Sequence, residues 1–267
     1  MKHSESYKKI LARLGYYDYQ SGLIFRRLDQ QTGWDEHLEK CRNYILKAID
    51  KYKPSKVTVL GSGWLLELPI AEMLEKIDNI TLIDIIHPPE VIKQAGAFDK
   101  VKFIEYDLSG GLIEEVWRWR KSKPFFRKPL NLEGLNIPDY ESADNPGLLI
   151  SLNLLTQLET LPVRFLEKTT KIDKREIYNF RKTIQEKHIA YISRYTSVLI
   201  TDYEEVITDM SGNLSGEPTL IADVPECVDR EEWIWDFDLK GSDYYNKRSV
   251  MKVLACTIEG NGKRKST

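Results

Sequence analysis

Residues 57–63 read Val57-Thr58-Val59-Leu60-Gly61-Ser62-Gly63, and this stretch decides the fold. Its first half is a short apolar run rich in β-branched residues, which is typical of a buried strand. The two glycines let the backbone turn sharply and let a ligand approach it closely. A helical pattern of Leu65, Leu66, Ile70, Met73 and Leu74 comes next. The stretch therefore predicts a strand, a turn and a helix whose N-terminal amides suit an anionic group.

Four more strand-like runs follow along the chain, and most alternate with helical patterns. They lie at 80–83, 101–104, 147–152 and 197–202. We expect a helix at 174–195, and another through 155–166 that bends or begins afresh at Pro162. Strands connected by helical crossovers predict a parallel sheet covered on both faces.

The end of the chain has a different pattern. The runs 233–237 and 250–256 are strand-like and have no helix between them, which favours an antiparallel hairpin. The whole pattern predicts an α/β fold with a seven-stranded, mostly parallel sheet, a terminal antiparallel hairpin and helices on both faces. It also favours one continuous domain at 54–258, with an insertion at about 109–146 and a flexible tail at 259–267.

The first 53 residues are helical in pattern. Tyr7, Ile10, Leu11 and Leu14 share one face of a helix that Gly15 ends. A second apolar stripe extends from Trp34 to Ile49. Asp35 stands in an N-cap position for that helix, and Pro54 ends it. About fifty residues seldom form a stable core alone, so we expect residues 1–53 to be a helical cap over a ligand cleft.

Polar residues end three neighbouring strands. Asp84 ends the second strand, where a carboxylate can accept hydrogen bonds from ribose hydroxyls, and Asp107 follows the third, within reach of an adenine amino group. With the Gly61–Gly63 turn they predict a nucleoside site at the carboxyl edge of the sheet. Each residue also has a structural alternative: a plain turn for the glycines, a solvated strand end for Asp84 and a helix N-cap for Asp107. Asn153, after the fourth strand, either lines the cleft or caps the next helix.

The runs 57–63, 82–84 and 103–108 resemble the class I S-adenosylmethionine-dependent methyltransferases, which have a Rossmann-like fold. The resemblance covers about residues 36–258, including the hairpin. It implies that S-adenosylmethionine is the cofactor and that it is bound by the strand-end residues Gly61, Ser62, Gly63, Asp84, Asp107, Leu108 and Asn153. The chain departs from the family at Leu60, where an acid is common, and at Trp64, where a third small residue is common.

The resemblance implies a methyltransferase. The net charge of -2 and the acids that follow the basic run favour a small or peptide-like acceptor over nucleic acid. Two alternatives remain open. One is a protein that binds S-adenosylmethionine without catalysis. The other is an NAD-linked oxidoreductase, which would need glycine or alanine at Leu66. No residue stands out in the sequence as a general base, so the catalytic residues stay unassigned.

The composition excludes several classes of protein. The chain has 39 Lys and Arg against 41 Asp and Glu, which disfavours nucleic-acid binding by overall charge. The run Trp117–Pro129 is basic and aromatic, but acids follow it, and we expect an insertion that shapes the acceptor pocket rather than a nucleic-acid site. The three cysteines and four histidines have no metal-site spacing, so we expect no metal. With no membrane-length apolar run, a cytoplasmic location is expected.

Overall fold

The computed structural model describes residues 3–122, 132–135, 145–241 and 247–260. The strands in these ranges are β1 (Lys56–Leu60), β2 (Asn79–Asp84), β3 (Val101–Glu105), β4 (Leu148–Leu152), β5 (Ser197–Thr208), β6 (Leu214–Pro218), β7 (Val228–Asp238) and β8 (Arg248–Ile258). The helices are α1 (Glu5–Leu14), α2 (Tyr16–Asp29), α3 (Asp35–Tyr52), α4 (Ile70–Leu74), α5 (Pro89–Ala95), α6 (Leu112–Lys121), α7 (Thr160–Glu167) and α8 (Lys174–Ile192). Single 3₁₀ turns lie at Gln31–Trp34 and Leu132–Gly134.

All eight strands form one sheet, in the order β3-β2-β1-β4-β5-β8-β7. The first five strands pair in parallel, in the register that places Leu60 beside Ile83 and Ser151. β8 lies between β5 and β7 and runs antiparallel to both. The predicted seven strands and the terminal hairpin are therefore confirmed. Because β1, β2, β3 and β4 are parallel, their carboxyl ends meet along one edge of the sheet.

The structure adds a strand that the sequence pattern did not indicate. β5 continues to Thr208, beyond its pairing with β4, and its second half pairs with the short antiparallel strand β6. Every residue of β6 is exposed. An exposed strand lacks the apolar run or the apolar–polar alternation by which strands are predicted, so this hairpin leaves little trace in the sequence.

Apolar side chains fill both faces of the sheet. One cluster packs α3 and α4 against β1, β2, β5, β7 and β8, and includes Tyr44, Ile45 and Trp233. The other packs α6, α7 and α8 against the opposite face, and includes Phe180 and Ile184. His188 lies in this second layer and its Nε2 contacts Ser151 Oγ at 2.8 Å, as expected of a satisfied core histidine.

Three helix predictions need correction. No helix follows the glycine turn directly, because residues 61–69 form turns and α4 begins only at Ile70. Pro69 explains this, since a proline disfavours helical geometry in the residue before it. α7 begins at Thr160 rather than Leu155, with Pro162 in its first turn. Asp35 is the first residue of α3 and not its N-cap; its carboxylate pairs with Arg27 at 2.5 Å.

The N-terminal helices occupy two different places. α3 belongs to the first core layer, whereas α1 and its neighbours form a small third cluster with Ile86 and Ile113 beside the carboxyl ends of β2 and β3. The division into a cap at 1–53 and a domain at 54–258 stays a prediction. Of the predicted insertion, residues 123–131 and 136–144 lie outside the described residues, as does 261–267 of the predicted tail.

Candidate ligand-binding site at the carboxyl edge of the sheet

A cavity of about 1030 Å³, its open mouth included, lies at the carboxyl ends of β1, β2, β3 and β4. Six of the seven predicted site residues line it: Gly61, Gly63, Asp84, Asp107, Leu108 and Asn153. Ser62 does not line it, because its side chain is buried beneath the turn. Tyr16, Tyr19 and Leu23 of α2 border the cavity as well. The structure thus brings six predicted residues to one cavity, at the edge where open α/β sheets bind ligands.

The glycine turn is shaped by two different constraints. Gly61 has a φ of +80°, and a Cβ on it would lie 2.8 Å from the Leu152 carbonyl oxygen and 2.8 Å from Leu154 Cβ. Gly63 has a φ of +50°, but a Cβ there would have no atom within 4 Å. Gly61 is therefore required by packing against the end of β4, while Gly63 leaves its backbone open to the cavity.

Asp84 connects the second strand to the glycine turn. Its Oδ2 accepts a hydrogen bond from the Gly63 amide at 2.7 Å, and its Oδ1 accepts one from the Ile85 amide at 2.7 Å. Burial raises the pKa of the Asp84 carboxyl, and the Gly63 amide opposes that rise. A carboxylate can accept about four hydrogen bonds, so both oxygens keep accepting capacity for a ligand in the cavity.

Asp107 lies between the loop after β3 and the first helix. Its Oδ1 accepts hydrogen bonds from the backbone amide (2.9 Å) and the hydroxyl of Ser109. Its Oδ2 accepts one from the Tyr7 hydroxyl of α1 at 3.3 Å. Burial raises the pKa of the Asp107 carboxyl, and the bonds from Ser109 and Tyr7 oppose that rise. The N-cap of α6 is Gly111, so Asp107 does not stand in the N-cap position.

Asn153 belongs to a buried polar group beyond the end of β4. It has a φ of +47°, an uncommon conformation for a residue other than glycine. Its Nδ2 lies 3.2 Å from His37 Nε2 and 3.4 Å from Glu67 Oε1. His37 is held in turn by Trp233, whose Nε1 donates to Nδ1 at 3.0 Å. Burial lowers the pKa of His37 to about 3, so its imidazole is neutral near pH 7.

The charges around the cavity are of one sign. Three carboxylates line it, from Glu67, Asp84 and Asp107. Among the described residues that line it there is no lysine, arginine or histidine. Burial raises the pKa of Glu67 as it does for the two aspartates. Buried carboxylates without cations favour a ligand that brings positive charge or hydrogen-bond donors.

A second, wider groove lies away from this cavity, between α1, α6 and α7. Five cationic side chains line it: Lys9, Arg13, Arg120, Lys121 and Lys168. Trp117 and Phe165 lie among them, and Lys121 Nζ stands 5.2 Å from the centre of the Trp117 ring. The first part of the predicted basic, aromatic run therefore borders this groove. Its second part, 123–129, lies outside the described residues.

The sheet order decides the fold. The last strand of the chain is inserted antiparallel between β5 and β7, and the candidate site lies at the carboxyl ends of the parallel strands. This is the arrangement that the family resemblance implies. The chain has the class I methyltransferase fold.

Comparisons with solved structures find distant proteins of the methyltransferase fold. The N-methyltransferase NodS from Bradyrhizobium japonicum shares 10% identity over 88% of this chain and 91% of its own, with a TM-score of 0.42. The 1,6-didemethyltoxoflavin-N1-methyltransferase from Burkholderia thailandensis shares 11% over 96% and 91%, with a TM-score of 0.41. A putative RNA methyltransferase from Pyrococcus horikoshii shares 11% over 84% and 83%, with a TM-score of 0.40. No family model and no curated protein matches the chain.

Two further features concern the described residues alone. They contain no group of three or more side chains suited to hold a metal ion. None of their helices combines the length and the apolar character that crossing a bilayer requires.

Sequence reasoning missed some residues of the cavity. Glu67, Trp34 and Trp235 line it, and none was predicted to belong to the site. Glu67 left a signal, because it is the single acid within the apolar run from Trp64 to Leu68. The sequence contains no signal that distinguishes Trp34 and Trp235 from ordinary core residues. They come from opposite ends of the chain, so no local pattern shows that they lie together.

Proposed function

We propose that this protein binds S-adenosylmethionine in the cavity and transfers its methyl group to a small-molecule or peptide-like acceptor. The charge of the cavity carries this proposal. S-adenosylmethionine brings a sulfonium and an ammonium against a single carboxylate, a net positive charge, to a site with three carboxylates and no lining cation among the described residues. NAD would bring a pyrophosphate with two negative charges to the same site. Coulomb repulsion from partly buried carboxylates disfavours such a ligand strongly.

The adenosine half of the cofactor fits the remaining hydrogen-bond capacity of the two aspartates. Each oxygen of Asp84 accepts one backbone amide, which leaves capacity for two ribose hydroxyls. Oδ2 of Asp107 accepts one hydroxyl and can accept an adenine amino group as well. Gly63 leaves the backbone of the turn open. Gly61, Gly63, Asp84, Asp107 and Leu108 would therefore hold the cofactor, which supplies an electrophilic methyl group when bound.

The turn after β1 gives a second reason to prefer S-adenosylmethionine over NAD. Pyrophosphates of dinucleotides bind at the N-terminus of the helix that follows a glycine-rich turn. Here residues 61–69 form turns, and Leu65 has a φ of +60°. The helix begins only at Ile70 and has five residues. The backbone amides that a pyrophosphate needs are therefore not arranged as a helix end beside the turn.

Calorimetric titration of the full chain with S-adenosylhomocysteine and with NAD tests the proposal. We expect saturable binding of S-adenosylhomocysteine and none of NAD under the same conditions. Binding of NAD, or no binding of S-adenosylhomocysteine, would overturn it. A methyl-labelled cofactor offered with a panel of metabolites and peptides then separates catalysis from simple binding. A non-catalytic binding protein would bind the cofactor and transfer no label to any acceptor.

A further inference from the structure

Glu67 differs from the other two carboxylates of the cavity in its place along the sheet edge. Asp84 and Asp107 come from the ends of β2 and β3, on one side of β1. Glu67 contacts Asn153, which follows β4 on the other side. If the adenosine half binds at the two aspartates, as proposed above, the rest of the cofactor extends past the glycine turn toward β4. Glu67 is then the carboxylate that lies beside the methionine part.

The Glu67 carboxylate has no cationic partner among the described residues. Its Oε1 lies 3.4 Å from the Asn153 side-chain nitrogen and 4.0 Å from His37 Nε2. Burial lowers the pKa of His37 to about 3, so this neighbour carries no charge near pH 7. Arg42 opposes the rise in the pKa of Glu67 less than Asn153 does, and its Nε donates to the Leu66 carbonyl at 3.0 Å. The carboxylate therefore lacks the partner that a buried charge requires.

The protein pays a cost in stability for this charge when no ligand is bound. Only 15% of the Glu67 side chain is exposed. A carboxylate that is largely removed from water without a paired cation is unfavourable, and a neutral side chain of the same size would avoid the penalty. Glu67 also lines the cavity, so a ligand can reach it. A residue that is costly for the empty protein and open to a ligand is explained by a ligand that supplies the missing cation.

No other acid occupies this side of the glycine turn. β1 ends in Leu60, at the position where the family resemblance leads one to expect an acid, and this side chain is fully buried in the second core cluster. Apart from the two aspartates at the ends of β2 and β3, Glu67 is the one acid among the described residues that line the cavity. The negative charge of this side therefore comes from Glu67.

The ammonium is the positive group of the cofactor that a carboxylate binds best. An ammonium donates up to three hydrogen bonds, whereas a sulfonium has no N–H or O–H to donate. Hydrogen bonds between charged groups are roughly twice as strong as those between neutral groups. The cofactor's own carboxylate is attached to the same carbon as the ammonium, and Glu67 repels it. Glu67 would therefore also orient the amino-acid end of the ligand.

We propose that Glu67 binds the ammonium of the methionine part and so replaces the acid that this chain lacks at the end of β1. This rests on the proposed binding of S-adenosylmethionine and assigns the selectivity for its amino group to one residue. Asn153 positions the carboxylate through the 3.4 Å contact.

Three ligands test this assignment without measuring activity. S-adenosylhomocysteine carries the ammonium, its desamino analogue keeps the carboxylate and lacks the ammonium, and methylthioadenosine lacks both. In calorimetric titrations of the full chain, we expect S-adenosylhomocysteine to bind at least about ten times more tightly than the desamino analogue. Equal affinities for these two ligands would overturn the proposal, and this comparison needs no variant. Failure of the protein to bind S-adenosylhomocysteine would instead refute the proposed function.

Glu67→Gln keeps the size of the side chain and removes its charge, and the exposed Glu72→Gln of α4 is the matched control. We expect Glu67→Gln to bind S-adenosylhomocysteine at least about ten times more weakly and to bind methylthioadenosine within twofold of the parent. The control should bind both ligands like the parent. Unchanged affinity of Glu67→Gln for S-adenosylhomocysteine would overturn the proposal. Equal losses for the two ligands would overturn it as well, because Glu67 would then act through the fold.

Urea denaturation without ligand separates a binding role from a structural one. Because Glu67→Gln removes a buried charge that has no cation, its denaturation midpoint should be equal to that of the parent or higher. A structural role for the Glu67 carboxylate predicts a lower midpoint. A lower midpoint together with equal losses of affinity for the two ligands would refute the assignment.

Discussion

The Asp84 carboxylate holds the glycine turn directly, since its Oδ2 accepts the Gly63 amide at 2.7 Å. One side chain at the end of β2 thus shapes the backbone that follows β1 and also faces the cavity. Asparagine retains one acceptor oxygen for the Gly63 amide, loses the acceptor of the Ile85 amide and removes the negative charge.

We expect Asp84→Asn to fold and to bind S-adenosylhomocysteine more weakly. The loss should be about 1–3 kcal/mol, because a ribose hydroxyl then meets an amide instead of a carboxylate. Calorimetry should therefore measure a dissociation constant that is roughly 5- to 150-fold larger than that of the parent. Asp78→Asn, an exposed change just before the same strand, is the control and should bind like the parent. Equal affinities of the two variants would remove Asp84 from the site.

The two glycines of the turn should respond differently to alanine. Gly61→Ala places a Cβ 2.8 Å from the Leu152 carbonyl oxygen, so β1 and β4 must shift apart and the protein loses stability. In Gly63→Ala the new Cβ has no atom within 4 Å, so the substitution costs only the strain of a positive φ in alanine, about 1–2 kcal/mol. Urea denaturation should show the larger loss for Gly61→Ala. A larger loss for Gly63→Ala would contradict the packing constraint at Gly61.

Tyr7→Phe tests the contact between α1 and the proposed adenine side of the cavity. The hydroxyl of Tyr7 donates to Asp107 Oδ2, and burial raises the pKa of Tyr7, so the hydroxyl keeps its proton. Its removal should cost about 1 kcal/mol in the free energy of unfolding. Hydrogen exchange of the α1 amides should quicken at the same time. Tyr17→Phe, near the more exposed start of α2, should leave both quantities unchanged.

Stability should fall as the pH falls below neutrality. Burial lowers the pKa of His188 to about 4, from 6.5 in an unfolded chain. Between these values the unfolded chain binds a proton that the folded protein does not, so acidification costs stability, by about 3 kcal/mol in full. His37 acts in the same direction. Glu159, whose pKa burial raises to about 6, acts in the opposite direction between pH 4.5 and 6 and offsets part of the loss.

Urea denaturation at several pH values between 7 and 4 measures this dependence. His188→Gln keeps a polar side chain near Ser151 and cannot take up a proton in this range. Its free energy of unfolding should therefore depend less steeply on pH than that of the parent. The same slope in both proteins would show that His188 does not contribute.

The cationic groove should bind nucleic acid weakly at most. Five cations line the groove, but the chain as a whole has 41 acidic against 39 basic residues and a formal net charge of -2. We expect single-stranded RNA to bind with a dissociation constant above about 10 μM at physiological salt, which is in the range of non-specific binding. Fluorescence anisotropy at two salt concentrations, with and without Lys9→Ala, Arg13→Ala and Lys168→Ala combined, measures this. Tight, steeply salt-dependent binding that the triple variant loses would make RNA the preferred acceptor.

The parts of the fold that sequence predicted share a physical cause. The strands at 57–60, 80–83 and 148–152 are buried on both faces, so their composition alone indicates them. The glycine turn after the first of these strands and the polar residues at the ends of the other two, Asp84 and Asn153, then fall on one edge by topology. The prediction of a helix directly after the glycine turn was wrong. The leucines between Trp64 and Leu68 match a helical period, but Pro69 disfavours helical geometry in the residue before it, so the helix begins only at Ile70.

The missed part of the site consists of contacts between distant segments. His37 and Asn153 are 116 positions apart, and His37 and Trp233 are 196 apart. Periodicity within a window of ten to twenty residues contains no information about such pairs. The sequence pattern predicts only a helix stripe that begins at Trp34 and a strand that includes Trp235; Trp235 lies in β7, whereas Trp34 ends the 3₁₀ turn before α3. Only the packing of α3 on β7 turns them into walls of a cavity.

The N-terminal segment that leads into the first helix is attached to the edge of the candidate site. α1 is attached to the ends of β2 and β3 at three points: the His3 amide to Glu105 Oε2 at 2.9 Å, His3 Nε2 beside the Ile85 carbonyl oxygen at 2.9 Å, and Tyr7 to Asp107. An adenine amino group that binds Asp107 arrives beside the last of these contacts. We propose that α1 lifts before a ligand reaches Asp107; the observed rate of association should then approach a plateau at high ligand concentration instead of rising linearly.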